Sequence, residues 1–208
     1  MYKLPYFTEE DKEKVIAFMK ENSFAVITGM GDQYPVASHI PLSVEVKEDG
    51  KIFFYGHMMK KTDHHLAFEK NAHVLVIFNG PHSYVSASWY TNPQVASTWN
   101  YMTVHAKGKI KFTDEQGTYE AIKAITNKYE GMDTAASFDQ LPKEYVMKLI
   151  NAIVGFSIEV ENFDNVFKLS QNHNESTRHS IASHLKAKGD EHSVAIANEM
   201  ENAGTNKI

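Results

Sequence analysis

Two stretches of the chain carry residue types that could act on a ligand. The first is FFYGHMMKKT (Phe53–Thr62), where an apolar run ends at Gly56 and two lysines and a threonine follow. Lysines at a strand-to-helix turn hold a phosphate by charge, while a hydroxyl and helix N–H groups fill its other oxygens. The second runs from GPHSYVSASWY (Gly80–Tyr90) through a polar loop to STWNY (Ser97–Tyr101). Read as a strand, Gly80–Tyr90 turns Tyr84, Ser86, Ser88 and Tyr90 one way and Ser83, Val85, Ala87 and Trp89 the other. Hydroxyls bracketed by two tryptophans suit a flat heteroaromatic ligand, a sugar platform or an oligomer interface, and equally a loop pinned by core aromatics.

Other chemistries lack their signatures. The chain has 11 histidines but no HExxH, and adjacent His64 and His65 would point about 100° apart on a helix. Spacing does not join His57, His82 and His105 either, so surface and core roles are expected for the histidines and no metal site is assigned. There is no GxSxG elbow, no GxxxxGK[ST] and no GxGxxG after a strand. With no cysteine, thiolate chemistry and disulfides are excluded. No residue is assigned as catalytic. Nucleotide binding, if present, must use side chains and strand edges.

The elements that must position these residues follow from periodicity. Thr8 reads as a helix N-cap with Phe7 as a staple, followed by the stripe Val15, Phe18, Met19. Short strands are expected at Phe24–Thr28, Tyr34–Ile40, Leu42–Val46, Ile52–Gly56 and His73–Phe78, and a short helix from Asp63 to Glu69. Met102–Phe112 alternates cleanly, with Gly108 on the inner face as a bulge or close approach and Lys107, Lys109 and Lys111 on the wet face. Helices opened by Thr113 and Pro142 precede a last strand at Ile153–Val160. Beyond Asn165, FKLSQN leads into two polar helical pieces and a frayed tail, NAGTNKI. The pattern predicts a mainly β protein with flanking helices: a barrel domain over residues 1–164 and a helical extension over 165–208, packing on the barrel or a partner.

Bulk properties narrow the partners. A chain of 208 residues with 42% hydrophobic content can bury a sizeable core, and no stretch is apolar enough to span a bilayer. The N-terminus lacks a signal-peptide pattern, so a cytoplasmic location is expected. Net charge is −5 and Arg178 is the sole arginine, which argues against a reader of duplex nucleic acid.

In order, MYKLPYF, ASHIPL, GHMMK, VLVIFNGPHSYVSASWY, STWNY, VHAKGKI, IVGFSIEV and KLSQN resemble the PaiB family, FMN-binding negative transcriptional regulators of the split-barrel flavoprotein superfamily. The resemblance spans Met1 to about Leu185. It implies a six-stranded antiparallel split β-barrel, a homodimer, and one FMN per active region at the dimer interface. Carried over, Ser38, His39, Ile40 and Pro41 would line the ring edge, and His57, Lys60 and Lys61 the phosphate side. Tyr84, Ser86, Trp99 and Asn100 would form a dimer-facing wall, with Lys168 and Gln171 approaching from the C-terminal segment. The family has arginine where Lys60 stands and proline where Ala87 stands; the first change keeps charge but loses bidentate geometry. Implied functions are a flavin-dependent oxidoreductase or flavin sensor, or a repressor acting through DNA or a protein partner, with a haem-binding split barrel as a variant.

Overall fold

Alternation along the sequence becomes seven antiparallel strands. In the computed structural model, which describes Met1 and residues 4–203, these are β1 (Phe24–Gly29), β2 (Val36–Pro41), β3 (Ser43–Val46), β4 (Ile52–Met59), β5 (His73–Val85), β6 (Thr98–Phe112) and β7 (Ile153–Lys168). The helices are α1 (Lys12–Glu21), α2 (Asp63–Lys70), α3 (Glu115–Glu130), α4 (Lys143–Ala152), α5 (Glu175–Lys188) and α6 (Glu191–Asn202). No helix among the described residues is long and apolar enough to cross a membrane. The tail expected to fray lies, from Gly204 on, outside the described residues, as do Tyr2 and Lys3 of MYKLPYF.

The sheet order is β2-β1-β5-β6-β7-β4-β3. Its two edge strands, β2 and β3, are joined in the chain by Leu42 alone. A connection that short between opposite edges requires the sheet to curl until the end of one edge strand meets the start of the other. The expected count of six is corrected to seven. Ile40, Leu42 and Val44 all point inward as one ribbon, but its halves pair with different neighbours, β2 with β1 and β3 with β4.

The chain divides into two compact units, and β5, β6 and β7 run through both. One unit, Met19–Phe78 with His105–Phe163, holds the sheet core of Ile27, Phe54, Val76, Phe78, Phe156 and Ile158. Gly108 is a close approach, as expected: a Cβ there would sit 2.4 Å from the Glu159 carbonyl oxygen. In the same unit α3 and α4 enclose Ile122, Phe138, Val146 and Ile150. The other unit, Met1–Phe18, Asn79–Val104 and the chain from Asp164, packs α5 on α6 through Ile181, Leu185 and Ile196.

Two local readings change. Asp11, not Thr8, caps α1, its carboxylate accepting from Glu13 N at 2.9 Å, while the Thr8 hydroxyl turns back to the Leu4 carbonyl. The hydroxyl face breaks after Val85, because Ser86 caps a 3-10 turn at Ala87–Trp89 instead of continuing the strand.

Candidate functional site

Within the first of these units, β4 leads into a turn fixed on every side. The Lys60 N–H donates to the Ala152 carbonyl at 2.9 Å, and its ammonium reaches the Ile150 and Asn151 carbonyls at 3.2 and 3.5 Å. A cation at the C-terminal carbonyls of α4 is held by the helix dipole as well as by hydrogen bonds. Lys61 is left-handed, φ 63°, a conformation that costs a residue with a Cβ about 1 kcal/mol or more. Thr62 then caps α2, donating to the Met59 carbonyl at 3.1 Å and accepting from His65 N at 3.4 Å. The Lys61 ammonium has no hydrogen-bond or ion-pair partner among the described residues. Lys61 is thus a strained lysine without a partner, at a turn locked by its neighbours.

On β2, the Ser38 side chain is half-buried and its hydroxyl has no partner among the described residues. His39 is exposed beside Phe24, ring centroids 6.1 Å apart. Ile40 lies in the core within van der Waals reach of Gly56, so it shapes the wall from behind; Pro41 ends the strand opposite Phe24. Gly56 is needed there, since a Cβ would meet Phe156 at 2.8 Å and Leu42 at 3.0 Å. The next residue, His57, faces Gly155 in the β4–β7 register. Its Nδ1 is buried and makes no hydrogen bond, and burial lowers its proton affinity below the ordinary value of 6.5. Such a nitrogen is costly to leave unpaired.

This sets a pH dependence. His57, and His173 in the other unit, hold protons less readily folded than unfolded. Below about pH 6.5 the unfolded chain therefore takes up the protons, and stability falls as pH falls through that window while being complete above it. Melting temperatures of the protein without ligand, taken from about pH 7.5 to about pH 5.5, should decline, and the decline should be shallower in His57→Leu.

The remaining candidates all lie in the second unit. Trp99 is 53% exposed and meets the exposed Tyr84 edge-on at 6.0 Å. Ser86 bonds the Ser88 hydroxyl at 2.8 Å. Asn100 is fully buried: its amide donates to Ser170 Oγ at 3.0 Å and accepts from it at 3.2 Å. Gln171 closes its own turn, accepting from Leu169 N at 2.7 Å and donating to the Phe167 carbonyl at 2.5 Å. Lys168 donates to Thr98 Oγ1 and lies over the Phe7 ring, 5.7 Å from its centroid. Asn100 and Gln171 thus have their polar atoms engaged within the fold, whereas Trp99, Tyr84 and Lys168 present surface. Sequence reasoning did not single out Thr98, which lies inside STWNY, or His173, which follows KLSQN directly.

The sheet unit thus carries a free Lys61 ammonium, a free Ser38 hydroxyl, an orphaned His57 nitrogen and the exposed Phe24 ring; Ser38 shares the inward face of β2 with Ile40, whereas His57, His39 and Phe24 lie on the outer face. Residues 1–162 match the model of a family described as "Putative FMN-binding domain". The chain is 33% identical over 202 residues, 97% of each chain, to "Protease synthase and sporulation protein PAI 2" of Bacillus subtilis (strain 168). Among solved structures it is similar to the FAD and heme binding protein from Mycobacterium smegmatis, with a TM-score of 0.60 and 15% identity over 77% of this chain and 73% of that one. It is also similar to the flavocytochrome Anf3 from Azotobacter vinelandii, with a TM-score of 0.59 and 14% identity over 80% and 72%. At such identities the likeness to the solved structures is one of fold.

Proposed function

Since the chain belongs to the "Putative FMN-binding domain" family and is a relative of PAI 2, we propose that it binds FMN on the outer face of its sheet unit, as a flavin-dependent oxidoreductase or flavin sensor. The observation that carries this reading is the orphaned, buried Nδ1 of His57, on the strand that leads into the turn of the unpaired Lys61. The residues present fit the group. Lys61 offers charge to a phosphate, His57 offers a hydrogen bond to a polar ring or ribityl atom, and Phe24 with His39 offers flat surface on the same outer face. Lys60, engaged by α4, holds the turn in place. FMN, when bound, supplies electron and hydride transfer. The protein's part is to position it and, through a neutral His57, to give or take one proton at Nδ1 or hydrogen-bond there.

A second copy of the chain completes this reading. Phe24 is 64% exposed on the outer face of β1, and Met59 is exposed on that of β4, a pattern of apolar surface that suits a subunit interface. The protein should therefore run in solution at twice its 23.6 kDa chain mass, and Phe24→Glu should run as a monomer.

FMN titration of the purified protein, followed by flavin fluorescence, tests the proposal. Saturable quenching at one FMN per chain is expected. Lys61→Ala should weaken binding by about 10-fold or more, the worth of one charge-assisted contact. Wild-type affinity in both Lys61→Ala and His57→Leu would refute the assignment of the site, and absence of quenching at micromolar flavin would refute the function. A repressor role would have to act without arginine readout of bases. Arg178 is buried, its guanidinium donating to the Met200 carbonyl at 2.6 Å. A salt-dependent shift of duplex DNA by the protein would overturn that preference.

A further inference from the structure

In the unit containing α5 and α6, two hydrogen-bond donors stand beside a cation that has no counter-charge. Lys168 ends β7, and its ammonium donates to Thr98 Oγ1 above the face of Phe7. No carboxylate pairs with it among the described residues. Because Thr98 Oγ1 accepts from Lys168, its own proton is directed elsewhere, and it has no acceptor among the described residues. The other donor is the imidazole of His173, half-buried, with its ring 4.8 Å from that of Tyr90 and no hydrogen-bond partner among the described residues.

The turn between Lys168 and His173 is built to be stiff. Ser170 is left-handed, φ 60°, and buried. The Asn100 amide grips its hydroxyl from both sides, Gln171 ties Leu169 N to the Phe167 carbonyl, and His173 N closes on the Ser170 carbonyl at 3.1 Å. Strain held by that many bonds fixes where the ammonium and the imidazole stand. Burial lowers the proton affinity of Lys168, and burial together with the Lys168 charge lowers that of His173. Both shifts report positive charge that lacks a counter-charge here, which a bound carboxylate would supply. Aromatic rings flank both groups: Phe7, with Tyr6 edge-on at 4.5 Å, beside Lys168, and Tyr90 beside His173.

We propose that Lys168, Thr98 and His173 form a binding site for the carboxylate of an aromatic or other flat monocarboxylic ligand, with the ring of Phe7 at its side. This site stands independently of the flavin reading, which rests on residues of the other unit.

The test is a titration of the ¹⁵N-labelled full chain with benzoate at neutral pH, read by amide chemical shifts. Saturable shifts centred on Thr98, Lys168 and His173 are expected. Lys168→Met, which keeps the stem over Phe7, and Thr98→Val should each retain a folded spectrum. The first should bind benzoate about 10- to 100-fold more weakly, and Lys168→Arg should recover most of the loss. Absence of saturable shifts in the wild type would overturn the proposal, as would shifts that persist in Lys168→Met. Inorganic phosphate displacing benzoate with higher affinity would overturn the carboxylate assignment. If benzoate leaves the wild type unshifted while Lys168→Met weakens FMN binding, the lysine serves the flavin instead.

Discussion

Replacing Asn100 with leucine is expected to destabilise the protein by about 3 kcal/mol while leaving FMN affinity, measured well below the melting temperature, at the wild-type level. Asn100 is fully buried, and both ends of its amide are bonded to Ser170 Oγ, at 3.0 and 3.2 Å, with Met200 Sδ also 3.5 Å from Nδ2. A leucine fills the volume but leaves the buried Ser170 hydroxyl without either bond, at a left-handed backbone position that those bonds hold. A buried polar group stripped of its partners costs more than the bond it loses, because it is not rehydrated in the folded state. Urea denaturation gives the free energy directly. Wild-type stability combined with weakened flavin binding would place Asn100 on the ligand.

The second large effect concerns Gly108. Valine there should cost about 3 kcal/mol or more, at the upper end of overpacking penalties. A Cβ would stand 2.4 Å from the Glu159 carbonyl oxygen and 2.8 Å from Ile158 Cγ2, and the obstacle is backbone that cannot rotate away. Gly50→Ala makes a useful contrast. Gly50 has φ 78° but nothing within 4 Å of its added Cβ, so its cost is conformational alone, about 1 kcal/mol. Thermal unfolding of the two variants side by side separates crowding between strands from backbone handedness. Equal losses would remove the close approach as the reason for glycine at 108.

Much of this architecture was legible before the structure. The inward row Met102, Val104, Ala106 and Ile110 lies buried as alternation predicts, because β6 keeps one phase from Asn100 to Ile110. β5 does not. Its buried positions run Val74, Val76, Phe78, Gly80 and then Ser83, Val85, so the phase slips at Pro81 and His82. A proline lacks the N–H that a regular ladder needs, and pattern reading sees only a turn there. The ends of β6 and β7 were missed for a related reason: Thr98–Tyr101 and Glu161–Lys168 are too polar to read as strand, yet they pair as extensions of apolar neighbours. Lys61 and Thr62 were legible as a turn before a helix, because Thr62 followed by Asp63 is a cap signature. The locking of Lys60 onto α4 was not, since it joins residues ninety apart in the chain. The engagement of Asn100 with Ser170 was hidden likewise, and a polar residue in a motif reads as a ligand contact until its distant partner is seen.

The single residue between β2 and β3 also bears on how the chain is made. β1 with β2 and β3 with β4 are hairpins between sequence neighbours, so each can form as soon as it leaves the ribosome. Joined through Leu42, they emerge as one four-strand ribbon whose inner strands belong at the two ends of the finished sheet. The long edge of β4 has no partner until β7 arrives: Met59 waits for Ile153, and Phe53 for Glu159. For most of synthesis the nascent chain therefore carries an unpaired strand edge bearing Phe53, Tyr55 and Met59, open to pairing with another chain. Aggregation during expression, more than instability once folded, is where this topology leaves the protein exposed.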